Sequence, residues 1–92
     1  MRVSKNSNVA NIAGALAGSL RSGDDENLDV MGIETTYNAV KAIILASHFI
    51  RENDLKPVVE ITTFNASVGK TETERTIIRF IVHPVPIGEA NA

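Results

Sequence analysis

The side chains of this 92-residue chain that could do chemistry are two histidines, a Gly-Lys-Thr triplet, a set of threonines and a run of acids. His48 and His83 lack an HxxxH-type spacing and there is no cysteine, which excludes a thiolate metal site and leaves the imidazoles as structural or surface groups. Gly69-Lys70-Thr71 imitates the end of a phosphate-binding P-loop. The glycine that motif requires five residues earlier is Phe64, however, and a strand pattern follows where a helix is needed. Thr62, Thr63, Thr71, Thr73 and Thr76 sit in β-forming stretches with no base or oxyanion partner in the pattern. Asp24, Asp25, Glu26, Asp29 and Glu34 cluster without the apolar shielding that tunes a carboxyl group as an acid. The expectation is a chain with no catalytic centre, metal, cofactor or small-molecule substrate.

Charge is the remaining chemistry. The formal net charge of −2 argues against a strongly basic DNA coat, but the average conceals segregation. Outside the five clustered acids, nine Lys and Arg face six acids, and the first 22 residues hold Arg2, Lys5 and Arg21 with no acid at all. A basic face is therefore available on an acidic protein.

The elements that must position these residues follow from periodicity. Arg2 to Lys5 is a short β candidate, and Asn6-Ser7-Asn8 is a polar turn with good N-cap residues. Val9, Ile12, Ala13, Leu16, Ala17 and Leu20 recur at helical spacing, so a helix is predicted from about Asn8 to Arg21, stopped at Gly23. Its other face carries Ala10, Gly14 and Gly18. Each Gly costs about 1 kcal/mol of helix propensity relative to Ala, which predicts close approach of a neighbouring element or a ligand. Asn27 to Ile33 reads as a strand central in its sheet, with apolar residues on both faces. A second helix, capped by Thr35 or Thr36, is predicted to reach about Asn53.

In that helix Val40, Ile43, Ile44, Ser47 and Ile50 form one stripe and Ala42, Leu45 and Phe49 another. A helix so apolar around its circumference needs cover on more than one side, and a domain this small has little to supply it. A homodimer interface is the economical solution. Val58 to Val68 and Thr73 to His83 read as two long strands. In the second of these, Ile78, Phe80 and Val82 share one face, while Ile77, Arg79 and Ile81 share a mixed face suited to an interface. Leu45, Phe49, Ile77 and Ile81 are accordingly the expected dimer contacts.

The order is β-α-β-α-β-β, an α+β two-layer sandwich with a four-stranded sheet and two helices on one face. The domain is expected over 1–84, with 85–92 as a flexible tail. No segment approaches the roughly 18 uninterrupted apolar residues of a membrane span, and the first residues lack a secretory apolar run. A cytoplasmic location without membrane contact is expected.

Ala13-Gly-Ala-Leu-Ala-Gly18 with Leu20-Arg21, then Asn38-Ala-Val-Lys-Ala42, then Glu74-Arg-Thr76 running into Ile81-Val82, closely resembles the bacterial stage V sporulation protein S family over roughly Val3 to Pro84. That family is similar in fold to the Alba proteins, small dimeric nucleic-acid binders with the same element order. The resemblance implies a non-catalytic, homodimeric regulator of sporulation and development acting through DNA or RNA. In Alba-like proteins basic residues at the start of the first helix, along the second helix and on the last hairpin meet the nucleic acid. Lys5, Lys41, Lys70 and Arg75 stand in those regions here, with Arg79 added from the mixed strand face, all as phosphate neutralisers. Asn6, in the polar turn, would offer hydrogen bonds at a helix N-terminus. A stacking platform for single strands requires Tyr37 or Phe64 exposed, whereas Phe49 and Phe80 are expected in the core. The alternative is a protein-interaction or scaffold module on the same fold, favoured by the acidic balance and by Glu34 in the loop before the second helix. A clustered basic surface would favour nucleic acid, and scattered charges the scaffold.

Overall fold

The computed structural model describes residues 1–68 and 73–88 of the chain, without the side chains of Val68 and Thr73. Helix α1 spans Val9–Arg21, strand β1 Glu26–Val30, helix α2 Ile33–Ile50, strand β2 Leu55–Val68 and strand β3 Thr73–Pro86, with a 3-10 turn at Arg51–Asn53. The three strands form an antiparallel sheet in the order β1-β3-β2.

The fold class is α+β as expected, but the fourth strand is not formed. Arg2 to Lys5 makes a single parallel bridge, Arg2 to Asp29, held by Val3 N–H on Asp29 O at 3.0 Å and Asp29 N–H on Met1 O at 2.9 Å. The Ser4–Ser7 turn follows at once, closed by Ser7 N–H on Ser4 O and Ser4 N–H on Ser7 Oγ, so the segment leaves β1 before a second rung can form. Strand β3, rather than β1, is therefore the central one. Beyond Pro84, where the expected domain ends, β3 continues to Pro86, pairing Val85 with Lys56, and Ile87 N–H bonds Asp54 O.

Helix boundaries follow local chemistry. Asn8 caps α1 by accepting the Asn11 N–H at 3.0 Å. Gly23 ends it at φ 83°, with Gly23 N–H on Leu20 O and Asp24 N–H on Ser19 O forming a Schellman motif. Helix α2 starts two residues earlier than Thr35 because Gly32, at φ 95°, turns the chain directly out of β1. Thr35 is instead buried inside the first turn, its hydroxyl bonded to Met31 O at 2.6 Å.

The core lies between the helices and one sheet face. Leu28 and Val30 of β1 and Phe80 and Val82 of β3 meet Ile12, Leu16 and Leu20 of α1 and Ile50 of α2. Where the helices adjoin, the buried residues are small: Ala13 and Ala17 on α1, Ala39, Ala42 and Ala46 on α2. That alanine seam allows close helix packing and also explains why, Ile50 apart, the bulky residues of α2 are not fully buried. The expectation of a close neighbour at Gly14 and Gly18 does not hold for any element of the described chain. A Cβ placed on either residue would meet nothing within 4 Å, and this face of α1 is open.

Candidate nucleic-acid interface

Three segments converge at one end of the sheet around a cleft of about 980 Å³. The first is Arg2 to Lys5, tied to β1 by the Asp29 hydrogen bonds and by the N-terminal amine on Asn27 O at 2.8 Å. The second is the β1–α2 junction from Asp29 to Thr35. The third is the hairpin, contributing Ala66, Ser67 and Ile77.

Two features of this cleft are of the kind that attract anions. Arg2 and Lys5 line it, both exposed, and among the described residues neither is in an ion pair. Helix α2 begins at its wall, and because its N-cap is Gly32 no side chain occupies the first-turn amides. The partial positive charge of a helix start is thereby left open. Glu34 also lines the cleft and opposes both.

The other basic residues are distributed differently. Arg79 holds Asp29 with both nitrogens, Nε at 2.7 Å and Nη2 at 2.9 Å, and its guanidinium lies 4.7 Å from the Phe64 ring centre. The hydrogen bond from Arg79 keeps the Asp29 carboxyl below its ordinary range despite partial burial. The same bond raises Arg79. This guanidinium is thus neutralised in place. Arg75 is exposed and pairs in register with Ala66, beside the cleft on the sheet face away from the helices. Lys41 lies two turns along α2, with its ammonium 4.9 Å from the Tyr37 ring centre. Asn6 is exposed at the tip of the Ser4–Ser7 turn, and Lys70 lies outside the described residues. The arrangement therefore joins Lys5 with Arg2, which sequence reasoning had not placed in the site, and separates them from Lys41 and Arg79. The acid-free N-terminal segment carried the signal for Arg2.

The four expected dimer contacts do not share a surface. Leu45 packs half-buried against the core, and Phe49 is exposed where its carbonyl accepts Arg21 Nη2 at 2.8 Å. Ile77 and Ile81 lie with Arg79 on the sheet face opposite the helices, since Ile78, Phe80 and Val82 point inward. Apolar exposure is concentrated elsewhere. Ile33, Tyr37, Val40 and Ile44 follow one line on α2, with Ile33 90% exposed and Tyr37 62%. Ile61, register partner of Phe80 and so on the helix side of β2, is 67% exposed. Phe64 is partly exposed under Arg79, and Phe80 is buried as expected.

On the face away from the helices, His83 bridges strands, Nδ1 3.0 Å from Asp25 and Nε2 2.7 Å from Glu60. Hydrogen bonding to Asp25 and then to Glu60 raises its pKa above the ordinary 6.5, against some desolvation. Among the described residues no group of three or more His, Asp or Glu converges as a metal site, and no helix is long and apolar enough to cross a membrane.

The architecture defines a small α+β protein in which two helices cover one face of a three-stranded antiparallel sheet, with a cleft lined by Arg2, Lys5 and Glu34 where the N-terminal segment, the second helix and the hairpin meet. The chain belongs to the stage V sporulation protein S family, whose profile matches residues 1–85, and is thus a sporulation-related protein. No curated protein matches it in sequence.

Proposed function

We propose that this chain is a non-catalytic, cytoplasmic regulator that binds DNA or RNA through phosphate contacts in the 980 Å³ cleft, and that it works as a homodimer. The observation carrying this reading is the pair of cations, Arg2 and Lys5, without an ion pair among the described residues, beside an uncapped helix start. Phosphate recognition uses these two elements, a mobile positive charge and fixed backbone donors at a helix N-terminus. Arg75 extends the positive surface beside the cleft, Lys41 offers a separate phosphate contact along α2, and the Asn6 side chain adds a hydrogen-bond donor at the turn. Such contacts are indifferent to sequence. Lys5→Glu is expected to weaken binding of a labelled duplex and of a labelled single strand several-fold alike, read by fluorescence anisotropy at low salt. Unchanged affinity in both would remove the cleft from the interface.

The second reading, a protein-interaction scaffold without nucleic-acid affinity, is favoured by Glu34 in the cleft wall and by the net charge of −2. It predicts no saturable binding even at low salt. The dimer reading is supported by the exposed apolar line on α2 and is carried further below.

A further inference from the structure

The two concavities of the described chain are continuous. A second, mostly apolar cleft of about 500 Å³ lies between α2 and Ile78 of β3, lined by Ile33, Thr36, Tyr37 and Val40. Gly32 and Ile33 line both this cleft and the larger one that holds Arg2 and Lys5. Ile33, 90% exposed, is the ridge between them.

From Ile33 the apolar surface runs down α2 through Tyr37, Val40 and Ile44, and it is joined by Val59 and Ile61 on the helix side of the edge strand β2. Together these side chains expose on the order of 700 Å², close to the roughly 800 Å² per partner of a standard protein interface and above the usual largest patch of a monomer. None of them is charged; at the margin Lys41 lies 4.9 Å from the Tyr37 ring centre, and Arg2, Lys5 and Glu34 line the adjoining cleft. Such a patch is itself unsuited to a phosphate backbone, and α2 carries one Lys and no Arg where a membrane-surface helix has a row of them. It is suited to its own copy. An uncharged stripe along a helix can meet itself across a two-fold axis without like-charge conflict, so the contact closes as an isologous pair.

We propose that a second copy of this chain seats on the α2–β2 patch, covers Ile33, and forms the outer wall of the phosphate cleft, so that dimerisation and nucleic-acid binding are thermodynamically coupled. This rests on the cleft being the phosphate site. The physical link is exclusion of water from one side of the cleft. Arg2, Lys5 and the α2 amides face bulk water in a lone chain, and covering Ile33 lowers the local dielectric, which strengthens each contact to phosphate. Linkage requires the converse as well: bound nucleic acid tightens the dimer by the same factor.

The test uses Ile44→Glu, three turns from Ile33 and lining neither cleft. The probe is a labelled oligoribonucleotide too short to bridge two clefts, so that avidity does not imitate coupling. The expected result is a folded monomer by circular dichroism and analytical ultracentrifugation, with affinity for the short probe reduced about tenfold. Ile61→Glu, on a separate element, is expected to do the same and serves if the helix variant does not fold. A monomeric variant that binds the probe with wild-type affinity overturns the coupling, and variants that remain dimeric overturn the location of the interface. A wild-type dimer with no affinity for the probe at low salt overturns the phosphate reading of the cleft itself.

Discussion

The outward faces of the two helices are both almost free of charge and otherwise opposite in character. On α1 that face is Ala10, Gly14 and Gly18, open to solvent with nothing within reach of an added Cβ. On α2 it is Ile33, Tyr37, Val40 and Ile44. Small residues expose little apolar surface, so the α1 face is tolerable in water at the cost of helix propensity. The α2 face exposes large apolar side chains, the kind of patch that the proposed second copy would cover. The inward faces invert this pattern, with bulky Leu16 and Leu20 on α1 against a row of alanines on α2. Helix α1 thus spends its large residues on the monomer core, whereas α2, apart from Ile50, leaves most of its own partly or largely exposed.

The largest predicted effect fixes the baseline for that contrast. Leu20→Ala, at a fully buried position of α1, should cost about 2–5 kcal/mol in denaturant unfolding. Val40→Ser on α2 should cost far less in a chain kept monomeric by dilution and should weaken self-association instead. Equal losses of stability at both sites would erase the distinction between core and reserved face.

Tyr37 offers a direct optical version of the comparison, because it is the only tyrosine and the chain has no tryptophan. Its fluorescence should be shielded from iodide in the wild-type protein and become accessible in Ile44→Glu. Equal quenching in the two proteins would place Tyr37 outside the covered surface.

The α1 face is tested by filling it. Gly14→Ala and Gly18→Ala should each raise stability by up to about 1 kcal/mol, since the added methyl groups meet open space and the helix gains propensity. A loss of stability, or a loss of nucleic-acid affinity without one, would mean that a partner approaches this face closely.

The smallest effect comes from the sheet face remote from both helices. His83 has a folded-state pKa raised above 6.5 by Asp25 and Glu60, so its contribution to stability is complete below about pH 6.5 and is lost as pH rises through the raised value. Asp29 acts in the opposite sense. With a carboxyl lowered from 3.8 by Arg79, its contribution is present above that value and is lost as pH falls through the lowered one. Melting temperature should therefore decline slightly as pH rises above about 6.5 in the wild type, and His83→Gln should flatten that decline. An unaltered profile would separate it from the His83 bridges.

The sequence made the inward pattern of α1 readable because its apolar residues keep strict helical spacing, and made Ile78, Phe80 and Val82 readable because a strand alternates with a period of two. It misdirected the reading of α2 for a physical reason. The core side of that helix is alanine, and hydrophobic size, not hydrophobicity alone, decides which stripe a close helix seam accepts, so Ile44 and Phe49 remain exposed. The missing fourth strand was equally invisible: Arg2 to Lys5 has β-compatible residues, and the Ser4–Ser7 hydrogen bonds that end it after one bridge are set by local turn geometry. At the cleft, Arg2 and Lys5 both come from the acid-free N-terminal segment, whose charge was legible in the sequence although the cleft was not. The Asp29–Arg79 pair, 50 residues apart in sequence, could only emerge from the register of β1 against β3.

The measurement that bears most directly on the account is the salt dependence of nucleic-acid binding by the wild-type protein and by Lys5→Glu. For duplex DNA the account predicts saturable binding whose log K falls against log salt with a slope of about −2 for each engaged cleft, reduced in magnitude by about one in the variant. Absence of saturable binding at low salt, or an identical slope in the two proteins, would contradict it.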